Sequence, residues 1–289
     1  MMGWLEQHAV QRVPARLRRD PRGLDAVARR IRGHVVMMVH RASAAHLAPA
    51  LSCVDILVAA YWRVLAVDPA RPDDPARDRL IFSNGQAAAA LYAALAERGF
   101  FPSARLETYG MSGSLLGEHP ARGCAPGVEA TTGSPGHGLP VGVGTALAGR
   151  LHHRPYRTYV SMSDGECSEG SVWEAALLAP AHRLERLAVI IDHDASLAKG
   201  RGAGGLTLDP LRAKWEAFGW SAKEIDGHDL PALVGALAAV PDGSGRPVAI
   251  VAHTTRGKGV SFVEGNGDWH HRVPSAAECA AALQELGLR

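Results

Sequence analysis

Apolar residues recur along this chain with two different periods, and the switching between them outlines the fold. Helical spacing runs through residues 24–41, 52–65, 86–98, 139–148, 211–218 and 230–240, with Ser52 placed to cap the second stretch. Short apolar runs at 80–83, 159–162, 187–191, 221–225 and 247–252 read as strands. Alternation of strand and helix predicts an α/β fold, a doubly wound, mostly parallel sheet flanked by helices. Residues 68–79, rich in proline, aspartate and arginine, read as a surface connection, and glycine, proline and serine recur so densely over 101–138 that a long irregular segment is expected. Long loops of this kind in compact domains usually belong to binding sites. One domain over residues 1–289 is expected, with an amino-terminal extension over 1–23 and a carboxy-terminal helix within 275–289.

Composition narrows the class. The formal charge of +2 arises from interspersed acids and bases, and no basic tract studded with aromatics marks a nucleic-acid partner. Four cysteines, Cys53, Cys124, Cys167 and Cys279, lack metal-ligand spacing and suit a reducing compartment. No signal peptide is recognised and no run approaches membrane-spanning length, so a cytoplasmic protein without membrane contact is expected.

The chemistry concentrates in residues 159–196, YVSMSDGECSEGSVWEAALLAPAHRLERLAVIIDHDAS. A strand ends at Asp164-Gly165, a helix follows with Pro180 set to kink or shorten its last turns, and a second strand ends in Asp192-His193-Asp194. Parallel strands joined by a helical crossover end at the same sheet edge, where ligands of open α/β sheets bind. Asp164 and Asp194 are therefore expected side by side. Two carboxylates suit a hard cation such as Mg2+, whose shell phosphate oxygens and water complete. Gly165 lets the backbone approach those phosphates, and the amides opening the next helix favour an anion.

Several blocks resemble the transketolase family: VDPARPDDPARDRLIFSNGQAAAALYAALAERGFF (67–101), GVEATTGSPGHGL (127–139), DGECSEGSVWEA (164–175), KWEAFGW with EIDGHD (214–229) and HTTRGKGVSF with DWH (253–270). The chain is similar to the amino-terminal, diphosphate-binding subunit of a split transketolase. That resemblance implies thiamine diphosphate and Mg2+ as cofactors. Asp164 and Asp194 would stand at metal-ligand positions, with the Ser196 carbonyl as a third. Gly165 and Glu166 would approach the diphosphate through their main chain, and Gln86, Gly133 and His270 would line the cofactor. His46, His119 and His270 would surround the reacting carbons, where an imidazole can donate and accept protons near neutrality. Glu169, with Glu174, would link cofactor sites near a subunit interface. His137 and His228 lie in matching blocks with weaker claims; His152, His153 and His271 read as solvated.

The resemblance also implies a partner. The family's pyrimidine-binding domain is expected on a separate carboxy-terminal subunit, in an α2β2 assembly that takes a small ketose or 2-oxo acid donor and an aldehyde acceptor. Val172, Trp173 and Ala176 are candidates to face that partner or to pack in the core. Departures from the family pattern cluster at the site. Ser163 stands for glycine and Asp194 for asparagine, Ala44-Ala45-His46-Leu47-Ala48-Pro49 replaces a glycine-rich loop, and Ser83-Asn84-Gly85-Gln86 lacks the usual lysine and histidine. Pro135 and His137 are further replacements. They leave two alternatives beside ketol transfer: a catalytically silent scaffold or regulator, and a 2-oxo acid dehydrogenase α-type subunit.

Overall fold

The computed structural model describes residues 23–194 and 208–288. The expected extension up to residue 22, and Ser196, lie outside the described residues. Five parallel strands, β1 (Arg79–Phe82), β2 (Thr158–Ser163), β3 (Leu187–His193), β4 (Ser221–Asp226) and β5 (Val248–His253), form one sheet in the order β1-β2-β3-β5-β4. Every neighbouring pair is parallel.

Strand parity divides the core into two layers. Tyr159, Ala188, Ile190, Val248 and Ile250 face one layer. Its helices are α1 (Leu24–Ala42), α2 (Leu47–Ser52), α3 (Val54–Ala59), α4 (Ala88–Arg98), α8 (Leu230–Ala238) and α9 (Ala276–Glu285). Val160, Met162, Leu187, Val189 and Ile191 face the other, built on α5 (Gly138–Leu151), α6 (Gly170–Ala181) and α7 (Leu211–Ala217). The sheet is thus doubly wound, as the alternation of elements predicts. Strand β4 at the sheet edge is the least buried and carries Lys223 and Glu224, charges that discourage edge-to-edge pairing.

Two expectations need correction. The chain is already helical from Leu47, so Ser52 ends α2 instead of capping a later helix, and its hydroxyl donates to the Pro49 carbonyl and, at 2.7 Å, to Asp192. Leu47–Val64 is also apolar over 18 residues, the length of a membrane span, but it is almost wholly buried in the first layer, as a core helix is. Other boundaries follow local chemistry. Gly99, at φ 95°, closes α4 in the left-handed conformation. Asp229 caps α8 by accepting the Ala232 amide at 3.1 Å, and Ser275 with Glu278 forms a capping box at α9. Pro180 stands one residue from the end of α6, where it terminates the helix.

The starts of β1 and β2 are locked by Asp78. Its buried carboxylate accepts from the amides of Ala66 and Arg157, both at 2.8 Å, and from the Arg157 guanidinium at 2.6 Å. Removing one partner of a buried pair leaves the other uncompensated, so Asp78→Ala is expected to cost about 3–5 kcal/mol in urea denaturation. A loss below about 1 kcal/mol would show that Arg157 finds solvent instead.

Candidate functional site

The candidate site gathers at the carboxyl edge of the sheet, where parity along β3 sorts its acidic end. Asp192 shares the side of Ala188 and Ile190, so it enters the first layer and accepts from Ser52 and from the Thr254 hydroxyl. Burial, with the charges of Asp194 and Asp164, pushes the Asp192 carboxyl up to about 7 against those two hydrogen bonds. His193 points the other way. Its Nδ1 lies 2.9 Å from Asp164 Oδ2 and its Nε2 lies 3.4 Å from Asp209. The bond to Asp164 raises the His193 pKa above its ordinary value against the opposing effect of burial. Asp194 comes next and pairs with Arg256 at 3.0 Å. The neighbour that meets Asp164 across the strand gap is therefore His193, while Asp194 is turned toward a cation from the β5 side.

Beside this acidic end, Glu166 joins three separate segments. It sits in the single-turn 3-10 helix Asp164–Ser168 and is buried. Its carboxylate accepts from the Ser163 amide at 2.9 Å, from the Gly136 amide at 3.0 Å, and from the Ser83 hydroxyl. Ser83 in turn accepts the Gly138 amide at 3.0 Å, at the first residue of α5. Burial raises the Glu166 pKa, opposed by the bonds from Ser83, Ser163 and Gly136. The family resemblance implied a main-chain role for Glu166; the structure shows its side chain holding the loops after β1 and β2 to the loop before α5. The Ser-x-x-Glu spacing of a capping box was the sequence signal for it.

A third group lies above the loop before α5. His46 adopts φ 69°, a left-handed conformation unusual for a residue with a side chain. Its ring packs edge-on to His119 and His271, with centroids 6.5 and 5.8 Å apart. Burial lowers the His46 pKa, and the His271 and His119 rings lower it further. Gly133 passes directly under His119 at φ 143°; a Cβ there would stand 2.8 Å from the His119 ring. Gln86 donates to the Gly133 carbonyl at 3.2 Å. Thus His46, His119, Gly133 and Gln86, far apart in sequence, meet in one place. His270 ends the 3-10 turn Gly267–His270 that leads into this group. His271, expected to be solvated, is exposed yet belongs to the imidazole cluster.

The remaining expected residues separate into distinct roles. Glu169 and Glu174 are exposed at the start of α6. Val172 and Ala176 are core residues, and Trp173 packs on Trp215 and Phe218, so these three are not the surface of α6. Leu177 and Leu178 are exposed there instead, as is Val141 on α5. His137 is exposed with Nδ1 3.1 Å from the Pro135 carbonyl, and His152 and His153 are exposed as expected. His228 is a structural residue. It accepts the Thr255 amide at Nε2, 2.7 Å away, which places its proton on Nδ1, 2.8 Å from Asp55. Asp55 also accepts from Arg32 at 2.7 Å, and these partners outweigh burial to lower its pKa. The network anchors the loop that carries Thr254 and Arg256.

Among the described residues no group of three or more His, Cys, Asp or Glu side chains forms a closed metal site. Two carboxylates at one sheet edge, one of them oriented by a histidine, instead fit a hard cation that draws its other ligands from backbone, water and a bound diphosphate. Asp164 and Asp194 would hold such an ion, and the half-buried Gly165 lies where a diphosphate would approach.

Comparison with known proteins agrees with this chemistry. A family model described as transketolase, thiamine diphosphate binding domain, matches residues 25–289. An apulose-4-phosphate transketolase subunit from Phocaeicola vulgatus is 37% identical over 266 residues, covering 92% of this chain and 94% of that protein. The 6-deoxy-6-sulfo-D-fructose transketolase subunit SqwG of a Clostridium species is 39% identical over 241 residues, covering 83% and 88%. Among solved structures, transketolase from Leishmania mexicana superimposes with a TM-score of 0.83 at 29% identity, over 92% of this chain. The chain spans only 41% of that protein's length.

Because Glu166 joins three segments, Glu166→Gln should place an amide donor against groups that already donate. The expected loss is about 1–3 kcal/mol, with about tenfold faster amide exchange over residues 133–138. Unchanged exchange there would show that the loop is held by other contacts.

Proposed function

The chain belongs to the transketolase family as a thiamine-diphosphate-binding domain, and on that premise we propose that it works as the cofactor-holding subunit of a two-component transketolase that transfers ketol units between sugars. The observation that carries this reading is one of length. The chain matches 94% of the free-standing Phocaeicola subunit but 41% of a single-chain transketolase. In this reading the pyrimidine-binding part belongs to a separate carboxy-terminal subunit, in an α2β2 assembly. The exposed Leu177, Leu178 and Val141, with Glu169 and Glu174 nearby, support a contact surface on α5 and α6.

In this reading Asp164 and Asp194 would hold Mg2+, and Gly165 would admit the diphosphate. When bound, thiamine diphosphate would supply the nucleophile that carbon-carbon cleavage of a ketose needs. The protein supplies position and proton handling. His46, whose pKa burial and its neighbouring rings lower, accepts or shares a substrate hydroxyl proton with His119 close by, and His270 is proposed to assist. Gln86 fixes the Gly133 loop, which would line the cofactor. The named relatives act on a phosphorylated and a sulfonated ketose. A ketose with an anionic group at its far end is therefore the proposed donor, with an aldehyde acceptor.

Calorimetry with thiamine diphosphate and Mg2+, with and without the carboxy-terminal subunit, tests the reading together with a ketol-transfer assay. Binding should tighten with the partner, and turnover should require both chains. Asp164→Asn should weaken cofactor binding by about 10–100-fold while leaving the fold intact. Cofactor binding in neither condition would overturn the proposal, and binding without turnover would point to a scaffold or regulator.

A further inference from the structure

A second cavity lies at the opposite edge of the sheet. Its volume is about 310 Å3, and it forms where α5 and α6 end, against the segments entering β2 and β3. Arg150, Arg154, Arg183 and Arg186 line it with a single acid, Glu185. Four positive charges less one leave +3 around this cavity, whereas the whole chain carries only +2. Cations crowded in this way repel one another, and an anion relieves the repulsion.

The arginines divide into two pairs. Arg150 donates to the His182 carbonyl and Arg186 to the Pro155 carbonyl at 3.0 Å, so these two tie the rim together. Arg154 and Arg183 have no side-chain hydrogen bond or ion pair among the described residues. Cations often answer the negative end of a helix dipole, and that accounts for Arg150. It does not account for the other pair. The helix ends are already closed by backbone bonds, Arg154 N to the Gly149 carbonyl at 2.7 Å and Leu184 N to the Ala179 carbonyl at 3.1 Å.

The cavity floor narrows the ligand class. Tyr156 has the Arg79 guanidinium 3.6 Å from its ring centre, and Gly149 packs so closely that a Cβ there would stand 2.7 Å from Tyr156 Cζ. Crowded on these sides, the ring is a poor platform for a nucleobase. Guanidinium forks recognise phosphate through paired N–H donors. We propose that this cavity binds a compact, multiply charged phosphate anion without a base. Helix α5 spans about 20 Å at 1.5 Å per residue, so the cavity is separate from the candidate site, yet the same helix begins at Gly138, which bonds Ser83 there. The inference does not depend on the proposed ketol transfer.

Calorimetric titration of the full chain with inorganic pyrophosphate tests it, in EDTA so that the carboxylate cradle has no cation with which to hold a diphosphate. Arg154 and Arg183 are both exposed, so Arg154→Gln/Arg183→Gln should fold normally, as far-ultraviolet dichroism would verify, and should bind pyrophosphate at least about tenfold more weakly. Arg154→Gln alone should show a smaller loss in the same direction. Inorganic phosphate and glycerol 3-phosphate distinguish a free anion from a phosphorylated metabolite, and tighter binding of either supports the site and identifies its source. No saturable binding, or an unchanged affinity in the double variant, would overturn the proposal. Tighter binding of ATP than of tripolyphosphate would overturn the compact, base-free class.

Discussion

The buried carboxylate of Glu166 is the constraint on which the site depends. A carboxylate in a low-dielectric interior is costly unless its oxygens accept several hydrogen bonds. Here the donors come from the end of β2, the turn after β1 and the loop before α5. The cost of burying one charge is offset only when all three segments are in place, so their relative positions become a single decision. Gly133 under His119, Gln86 on Gly133 and the start of α5 all follow from it. Ser163, unusual for the family, fits the same junction by supplying both its amide and a hydroxyl next to Glu166.

A second consequence comes from strand parity. Along Asp192, His193 and Asp194 the alternation of faces sends each side chain to a different neighbour, Asp192 to the helical layer through Ser52, His193 to Asp164, and Asp194 to Arg256. Replacing the family's asparagine by Asp194 adds a negative charge where a diphosphate is expected, and Arg256 stands close enough to balance it. The departure at residue 194 is thus accompanied by a compensating cation, which fits a retained anion site better than a lost one.

Much of this was legible in the amino-acid pattern. The order of elements, the parallel sheet and the placing of Asp164 at its carboxyl edge follow from periodicity and the crossover rule. What was missed has physical causes. Ser52 has the chemistry of a cap, but the left-handed turn at His46 starts the helix five residues earlier. For Val172, Trp173 and Ala176 the pattern left both readings open, facing a partner or packing in the core, and their packing, with Trp173 on Phe218, decides for the core. His271 follows His270 in sequence, and nothing in the pattern tells which of two adjacent imidazoles approaches His46. The bond from His193 to Asp164 was not anticipated; it arises because successive strand residues face opposite sides, so His193 points away from Asp192.

In the proposed assembly Asp164 and Asp194 hold the cation of the diphosphate, and a second subunit supplies the pyrimidine-binding part. The most direct measurement is anomalous diffraction from crystals of the two-chain complex grown with thiamine diphosphate and Mn2+ in place of Mg2+. A single anomalous peak bound by the carboxylates of Asp164 and Asp194 is the predicted result. A complex that binds the cofactor with no peak at Asp164 would contradict it.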